Sequence, residues 1–283
     1  MSINSVAVIG AGTMGNGIAQ VCAAAGLNVV MLDITNEALQ RGTVAISESL
    51  DRLIKKQKLT FADKQEILAR VSVTTRYSDL SEVDLAIEAA TESEELKLRI
   101  LGEIDGVVGA KSIIATNTSS ISITKLAAAT GRPERLIGTH FFNPVPLMVL
   151  VELIRGLQTS DETQHRVEEF VKAIGKTSIV AKNSPGFAVN RVLCPMINEA
   201  VFALQEGLAT AEDIDIGMKL GANHPIGPLA LADLIGLDTM LSVMDVFYRN
   251  FNDPKYRPAP LLREMVDAGY LGRKSGRGFY RYD

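Results

Sequence analysis

Short apolar runs alternate with helical patterns along the first part of the chain, and this alternation points to the fold class. Val6-Ala7-Val8-Ile9 is β-rich and ends in glycine. Met14 to Ala25 has apolar residues at helical spacing and stops at Gly26, after which Val29-Val30-Met31-Leu32 runs into Asp33. Strand, helix and strand in about 30 residues read as a βαβ unit with a right-handed crossover. Strands that are apolar nearly throughout predict a sheet covered on both faces. Residues 36–70 break the rhythm. They are helical, polar and rich in Lys and Arg, with Ser49, Leu50, Leu53 and Ile54 on recurring faces. This is too long for a simple crossover and predicts an inserted helical pair projecting from the sheet.

The α/β rhythm then resumes. Strands are predicted at 85–88, 112–116, 136–141, 149–154 and 178–181, and helices at 94–108 and 161–174. Composition shifts at Asn183-Ser184-Pro185-Gly186. Beyond it, 188–206, 210–220, 228–248 and 260–268 read as helices, and no alternating pattern returns before Gly278-Phe279-Tyr280. The expected organisation is an α/β, Rossmann-type domain over 1–185, with the helical insertion at 36–70, and an all-helical domain over 186–283.

With 283 residues, 47% of them hydrophobic, the chain can bury a full core without disulfides or metals. A net charge of -4 with scattered cations argues against a nucleic-acid partner. Cys22 and Cys194 each lie in an apolar stretch, and with no CxxC or Cys/His cluster they read as reduced core residues, with no metal site. No charged leader and no span-length apolar run are visible, which predicts a cytoplasmic protein without a membrane partner.

Gly10-Ala11-Gly12-Thr13-Met14-Gly15 is GxGxxG, placed between a strand and a helix. Gly10 permits the tight turn, Gly12 lets the backbone approach a pyrophosphate, and Gly15 lets helix and strand pack closely. The helix N-terminus then offers its N–H groups to the phosphates. Asp33 ends the second strand; a carboxylate there binds ribose hydroxyls and repels a 2′-phosphate, which favours NAD. Dinucleotide binding by itself fixes no reaction.

His140 ends the predicted strand Leu136-Ile137-Gly138-Thr139, where α/β sheets bind ligands. Glu152 sits twelve residues on in another apolar strand, where a carboxylate is costly unless paired. Together they could form a proton-transfer dyad, with Glu152 fixing the tautomer; a hydrogen-bonded core histidine is the alternative. Asn117-Thr118-Ser119-Ser120 follows a strand and could bind a substrate oxygen or simply cap a helix. Asn190, early in the first helix of the second domain, would face a cleft between domains, or be an ordinary polar helix residue.

These segments together resemble the 3-hydroxyacyl-CoA dehydrogenase family. The resemblance rests on Val8 to Gly15, Ser112 to Ser120, Gly138-Thr139-His140-Phe141-Phe142-Asn143-Pro144, Ser184-Pro185-Gly186-Phe187 with Asn190-Arg191, Leu220 to Pro228, and Gly272 to Tyr280, and runs from residue 5 to 282. It implies NAD-dependent oxidation of short-chain (3S)-3-hydroxyacyl-CoA, with 3-hydroxybutyryl-CoA and acetoacetyl-CoA as the pair. His140 would be the base, Glu152 would orient it, and Ser119 and Asn190 would bind the C3 oxygen. Thr13 and Met14 belong to the dinucleotide loop, and Glu92, Lys97, Asn117, Ser119, Asn143 and Lys274 match further NAD contacts. Ser49, Arg52 and Lys56 match CoA contacts, and their spacing places them on one helix face.

The family also implies a homodimer through the C-terminal domain. The many apolar residues there (Leu229, Leu231, Leu234, Ile235, Leu237, Met240, Leu241) are too many for one helical layer to cover easily. One departure is Val149, where the family often has Lys. Two rivals remain: a β-hydroxyacid dehydrogenase on a free acid, which would use a lysine near Asn190, and a non-catalytic nucleotide-binding protein.

Overall fold

The computed structural model describes residues 3–282, and the chain divides between Ser184 and Pro185 into two compact units. The first unit holds eight strands: β1 (Ser5–Ile9), β2 (Asn28–Leu32), β3 (Val71–Thr74), β4 (Leu85–Glu88), β5 (Ile113–Thr116), β6 (Leu136–Phe141), β7 (Leu150–Arg155) and β8 (Thr177–Lys182). They form one sheet in the order β3-β2-β1-β4-β5-β6-β7-β8. Pairing is parallel from β3 through β6, antiparallel between β6 and β7, and parallel again between β7 and β8. This is the expected Rossmann-type sheet, extended by two strands that run the other way.

The helices of this unit are α1 (Thr13–Ala24), α2 (Asn36–Lys55), α3 (Phe61–Ala69), α4 (Glu94–Val107), α5 (Ile123–Ala127) and α6 (Asp161–Ala173). Val8, Ile87, Ala115, Ile137 and Leu153 share one core with Ile18 and Cys22 of α1 and with Val167 and Val171 of α6. The α2–α3 pair is not set clear of the sheet, as its polarity suggested. Leu39, Ile46 and Leu50 of α2 and Ile67 of α3 are buried in that same core. Gly42 lets α2 lie close to the glycine loop, since a Cβ there would come within 2.8 Å of the Ala11 carbonyl oxygen. Thr35 caps α2 through the Ala38 N–H, and Thr60 caps α3 in a reciprocal box with Asp63. The strand β3 was not anticipated: it has four residues, only half-covered, at the sheet edge.

The second unit contains α7 (Val189–Gln205), α8 (Ala211–Gly221), α9 (Pro228–Ile235), α10 (Leu237–Phe251) and α11 (Pro260–Asp267). The single helix expected at 228–248 is two, because Gly236 at φ +101 ends α9 and redirects the chain. Gly278 to Tyr280 form no strand. The tail is held instead by isolated bridges and by the buried Asp233, whose carboxylate accepts the Phe279 and Tyr280 N–H groups at 2.9 and 3.0 Å. The apolar residues expected to be hard for one helical layer to cover are covered only in part, with Leu231 and Ile235 half-buried. Leu229, Leu237, Met240 and Leu241 are buried within the unit, while Leu234 is 53% exposed.

Among the described residues, no helix is long and apolar enough to cross a membrane, and no cluster of His, Cys, Asp and Glu is arranged to hold a metal. Cys22 and Cys194 are free and buried, and burial pushes both thiols up to about 12.

The tightest approach in the first unit is between α1 and the turn that follows β1. A Cβ on Gly15 would lie 1.7 Å from the Gly10 carbonyl oxygen. Gly15→Ala is therefore expected to cost about 2–3 kcal/mol and to lower the urea midpoint; an unchanged midpoint would mean that α1 slides away freely.

Candidate active site

The glycine loop leaves β1 at Gly10, whose φ of +108 and closeness to the Ala89 carbonyl exclude a side chain. At Gly12, by contrast, a Cβ would meet nothing within 4 Å, so the backbone before α1 faces open space. Thr13 and Met14 open that helix. Asp33, just beyond β2, fixes the loop: its Oδ2 accepts the Ala11 N–H and its Oδ1 the Ile34 N–H, both at 2.7 Å. Each oxygen keeps a lone pair for a further donor. A cavity of about 620 Å³ runs beside these groups, lined by Gly10, Gly12, Asp33, Ile34, Tyr77 and Arg99. A cradle of this kind, an open loop backbone, a helix N-terminus and a carboxylate at the next strand end, fits NAD.

The β6–β7 pairing creates the acid–base pair. Antiparallel register sets His140 directly opposite Glu152. His140 Nδ1 lies 2.7 Å from Glu152 Oε2, with His140 8% exposed and Glu152 fully buried. The Phe142 ring lies against the imidazole, 4.6 Å between centroids. Asn117 reinforces the end of β6 by accepting the Phe141 N–H at 2.9 Å.

Beyond β5, the Thr118–Ser120 turn is organised by Glu92. Its Oε1 accepts the Thr118 hydroxyl at 2.6 Å, the Ser119 and Ser120 N–H groups at 2.9 and 3.1 Å, and the Ser120 hydroxyl at 3.0 Å. The Ser119 hydroxyl lies 3.3 Å from the same oxygen. Burial alone would raise the Glu92 carboxyl, but the Lys97 charge and these hydrogen bonds outweigh it and hold its pKa below the usual range. Lys97, expected as a direct cofactor contact, is only 1% exposed; its Nζ faces Glu88 at 2.7 Å, the Ala90 carbonyl at 3.2 Å and Glu92 at 3.4 Å. Two of these partners, the Ala90 carbonyl and Glu92, belong to the 89–92 turn.

The remaining candidates are placed as follows. Asn143 is exposed on the loop after β6. Lys176 closes that loop by donating to the Val145 and Met148 carbonyls, both at 2.7 Å. Val149, in the position the family often gives to Lys, is 65% exposed. Ser49, Arg52 and Lys56 occupy one side of α2 and its C-cap, Ser49 half-buried and the two cations exposed. In the helical unit, Asn190 is the second residue of α7, half-buried, beside Arg191, whose guanidinium stacks on Phe251 and Tyr256 at 4.0 and 4.4 Å. Lys274 pairs there with Asp238.

The family model 3-hydroxyacyl-CoA dehydrogenase, NAD binding domain, matches residues 5–184, and 3-hydroxyacyl-CoA dehydrogenase, C-terminal domain, matches residues 186–282. The chain belongs to the 3-hydroxyacyl-CoA dehydrogenase family. It is 53% identical, over 99% of its length and 96% of the relative's, to the 3-hydroxybutyryl-CoA dehydrogenase of Bradyrhizobium diazoefficiens. It is 50% identical to that of Clostridioides difficile, over 98% of this chain and 99% of the other. The crystal structure of (S)-3-hydroxybutyryl-CoA dehydrogenase from Ralstonia eutropha superimposes with a TM-score of 0.98 at 67% identity, covering all of both chains. Membership in the family makes NAD the cofactor of this dehydrogenase fold.

Several site residues of this family member were not visible in its sequence. Tyr77 and Arg99 line the nucleotide cavity from a 3-10 turn and from α4, and no motif marks either. Glu88 was missed although it carried the same signal as Glu152, a carboxylate inside an apolar strand. The lowered pKa of Glu92 ties stability to pH. Its stabilising effect is full above its ordinary value of 4.5 and is lost as pH falls through the lower folded value. Because the Glu92 side chain is 38% exposed and partly screened, Glu92→Gln is expected to cost only about 1 kcal/mol near neutral pH. In urea melts that gap should close on acidification below about pH 4; a gap constant with pH would show that the charge is irrelevant.

Proposed function

We propose that this chain interconverts (3S)-3-hydroxybutyryl-CoA and acetoacetyl-CoA with NAD, as a dehydrogenase of short-chain 3-hydroxyacyl-CoA. The observation that carries this reading is the buried His140–Glu152 pair at the C-terminal end of a sheet whose other half bears the dinucleotide loop. Glu152 lies 2.7 Å from Nδ1, and with a proton held on that nitrogen Nε2 is the one that takes the hydroxyl proton. In oxidation Nε2 removes that proton and Glu152 stabilises the resulting imidazolium; in reduction the same nitrogen returns it. Bound NAD supplies the hydride acceptor for C3. Ser119 and, from the helical unit, Asn190 donate to the oxygen at C3 as it becomes a carbonyl. Asp33, with Gly10, Gly12, Thr13, Met14 and Gly15, holds the nucleotide, aided by Glu92, Asn117, Asn143 and Lys274, with Lys97 acting through its buried pair. Ser49, Arg52 and Lys56 receive the phosphates of CoA, two mobile cations and a hydroxyl suiting a charged, flexible group.

A free-acid dehydrogenase with a lysine base is disfavoured by α7, which contains no lysine. We also place the protein in the cytoplasm, a reading supported by two free buried thiols. We further propose a homodimer through the helical unit. Leu208, Ile216 and Leu220 are 78%, 51% and 82% exposed there. An apolar recess beside them is lined by Met196, Ala200 and Met218, and a second copy of the same surface would cover both.

The test follows NADH absorbance with acetoacetyl-CoA. Wild type should consume NADH, and His140→Ala should be slower by roughly 10² or more. Replacing acetoacetyl-CoA with its pantetheine thioester should raise KM, and Arg52→Ala/Lys56→Ala should then make no further difference. Binding of NADH without any turnover would overturn the acyl-CoA reading. Light scattering should give a mass near twice 30.5 kDa, and Leu220→Glu should shift it toward one chain; a monomeric wild type would refute the dimer.

A further inference from the structure

Glu88 is the one fully buried carboxylate of the α/β unit, among the described residues, that neither the proton relay nor the nucleotide motif uses. It closes β4 at the C-terminal end of the sheet. A carboxylate there is costly unless densely paired. Its Oε1 accepts the Ala90 N–H and the Lys97 ammonium, both at 2.7 Å, and its Oε2 accepts the Thr116 hydroxyl at 2.5 Å.

These three donors lead to three parts of the site. Ala90 belongs to the turn that lines the nucleotide cavity. Lys97 continues to Glu92, whose other oxygen gathers the Thr118, Ser119 and Ser120 donors. Thr116 leads into Asn117, whose side chain holds the Phe141 N–H next to His140. A buried ion pair is often no more stabilising than apolar groups of the same size. Its position at the junction of these turns gives it a geometric use that stability alone does not require.

We propose that Glu88 is a positioning residue for the reaction. Through Lys97 and Thr116 it holds the Ser119 turn and the nucleotide-lining turn in one fixed relation, so that the hydroxyl meeting the substrate oxygen is already set when the substrate arrives. The proposal rests on the reading above that Ser119 binds that oxygen.

A double-mutant cycle tests it, using full-length enzyme, NADH and acetoacetyl-CoA. Glu88→Gln alone should lower kcat about tenfold. In a Ser119→Ala background the same change should lower kcat less than about twofold, because the turn then has no hydroxyl left to misplace. If the two effects multiply, Glu88 supports only the fold and the proposal is overturned. Loss of the negative charge beneath Lys97 could prevent Glu88→Gln from folding. Thr116→Val, which keeps the ion pair and removes only the hydroxyl link, therefore runs the same cycle, with Thr116→Ser expected to restore kcat. A valine variant that behaves like wild type also overturns the proposal. Absence of wild-type turnover would instead refute the reading of Ser119, which keeps the two failures distinct.

Discussion

Antiparallel pairing of β6 with β7 is the constraint on which the site depends. Six strands of the sheet run one way, and a seventh strand in the same direction would have carried Glu152 to the opposite end from His140. Reversing β7 sets the two residues opposite one another in register, with the imidazole and carboxylate 2.7 Å apart and almost no solvent between them. The low local polarity strengthens the interaction and makes its loss expensive. It also dictates what surrounds it: Asn117 secures the strand end, and Lys176 draws in the loop that joins the two strands.

The parallel half of the sheet solves a different problem. Its strand ends leave backbone groups and loops pointing the same way, and the chain braces that edge with hydrogen-bonded carboxylates. Asp33 braces the glycine loop, Glu88 and Lys97 brace the turn after β4, and Glu92 braces the turn after β5. Asp33 is satisfied by two backbone N–H groups, and Glu88 and Glu92 by backbone N–H groups together with hydroxyls and the Lys97 ammonium, so the positions these loops present are set before a ligand binds.

The central elements were legible in the sequence because their signals were local. Apolar runs ending in Gly10 or Asp33, and the change of period after Asn183, state fold and order directly. The His140–Glu152 pair was readable because one carboxylate in an apolar strand demands a partner. The burial of Lys97 was not, since it follows from direct pairing with Glu88, on a different element and nine residues away in the chain. The α2–α3 pair misled for a related reason: its outer face is so polar that the buried stripe of Leu39, Ile46 and Leu50 was outvoted. Gly236 was passed over because a single glycine inside a helical pattern is ordinarily tolerated, and only its positive φ makes it a break.

The two cysteines have a chemical consequence. Acyl-CoA substrates are thioesters, and a thiolate near one would attack its carbonyl and take the acyl group onto the protein. Cys22 and Cys194 are sealed in the two cores with their thiols pushed up to about 12, so at neutral pH neither is a nucleophile and neither can be reached. Neither cysteine therefore competes with hydride transfer for a bound thioester.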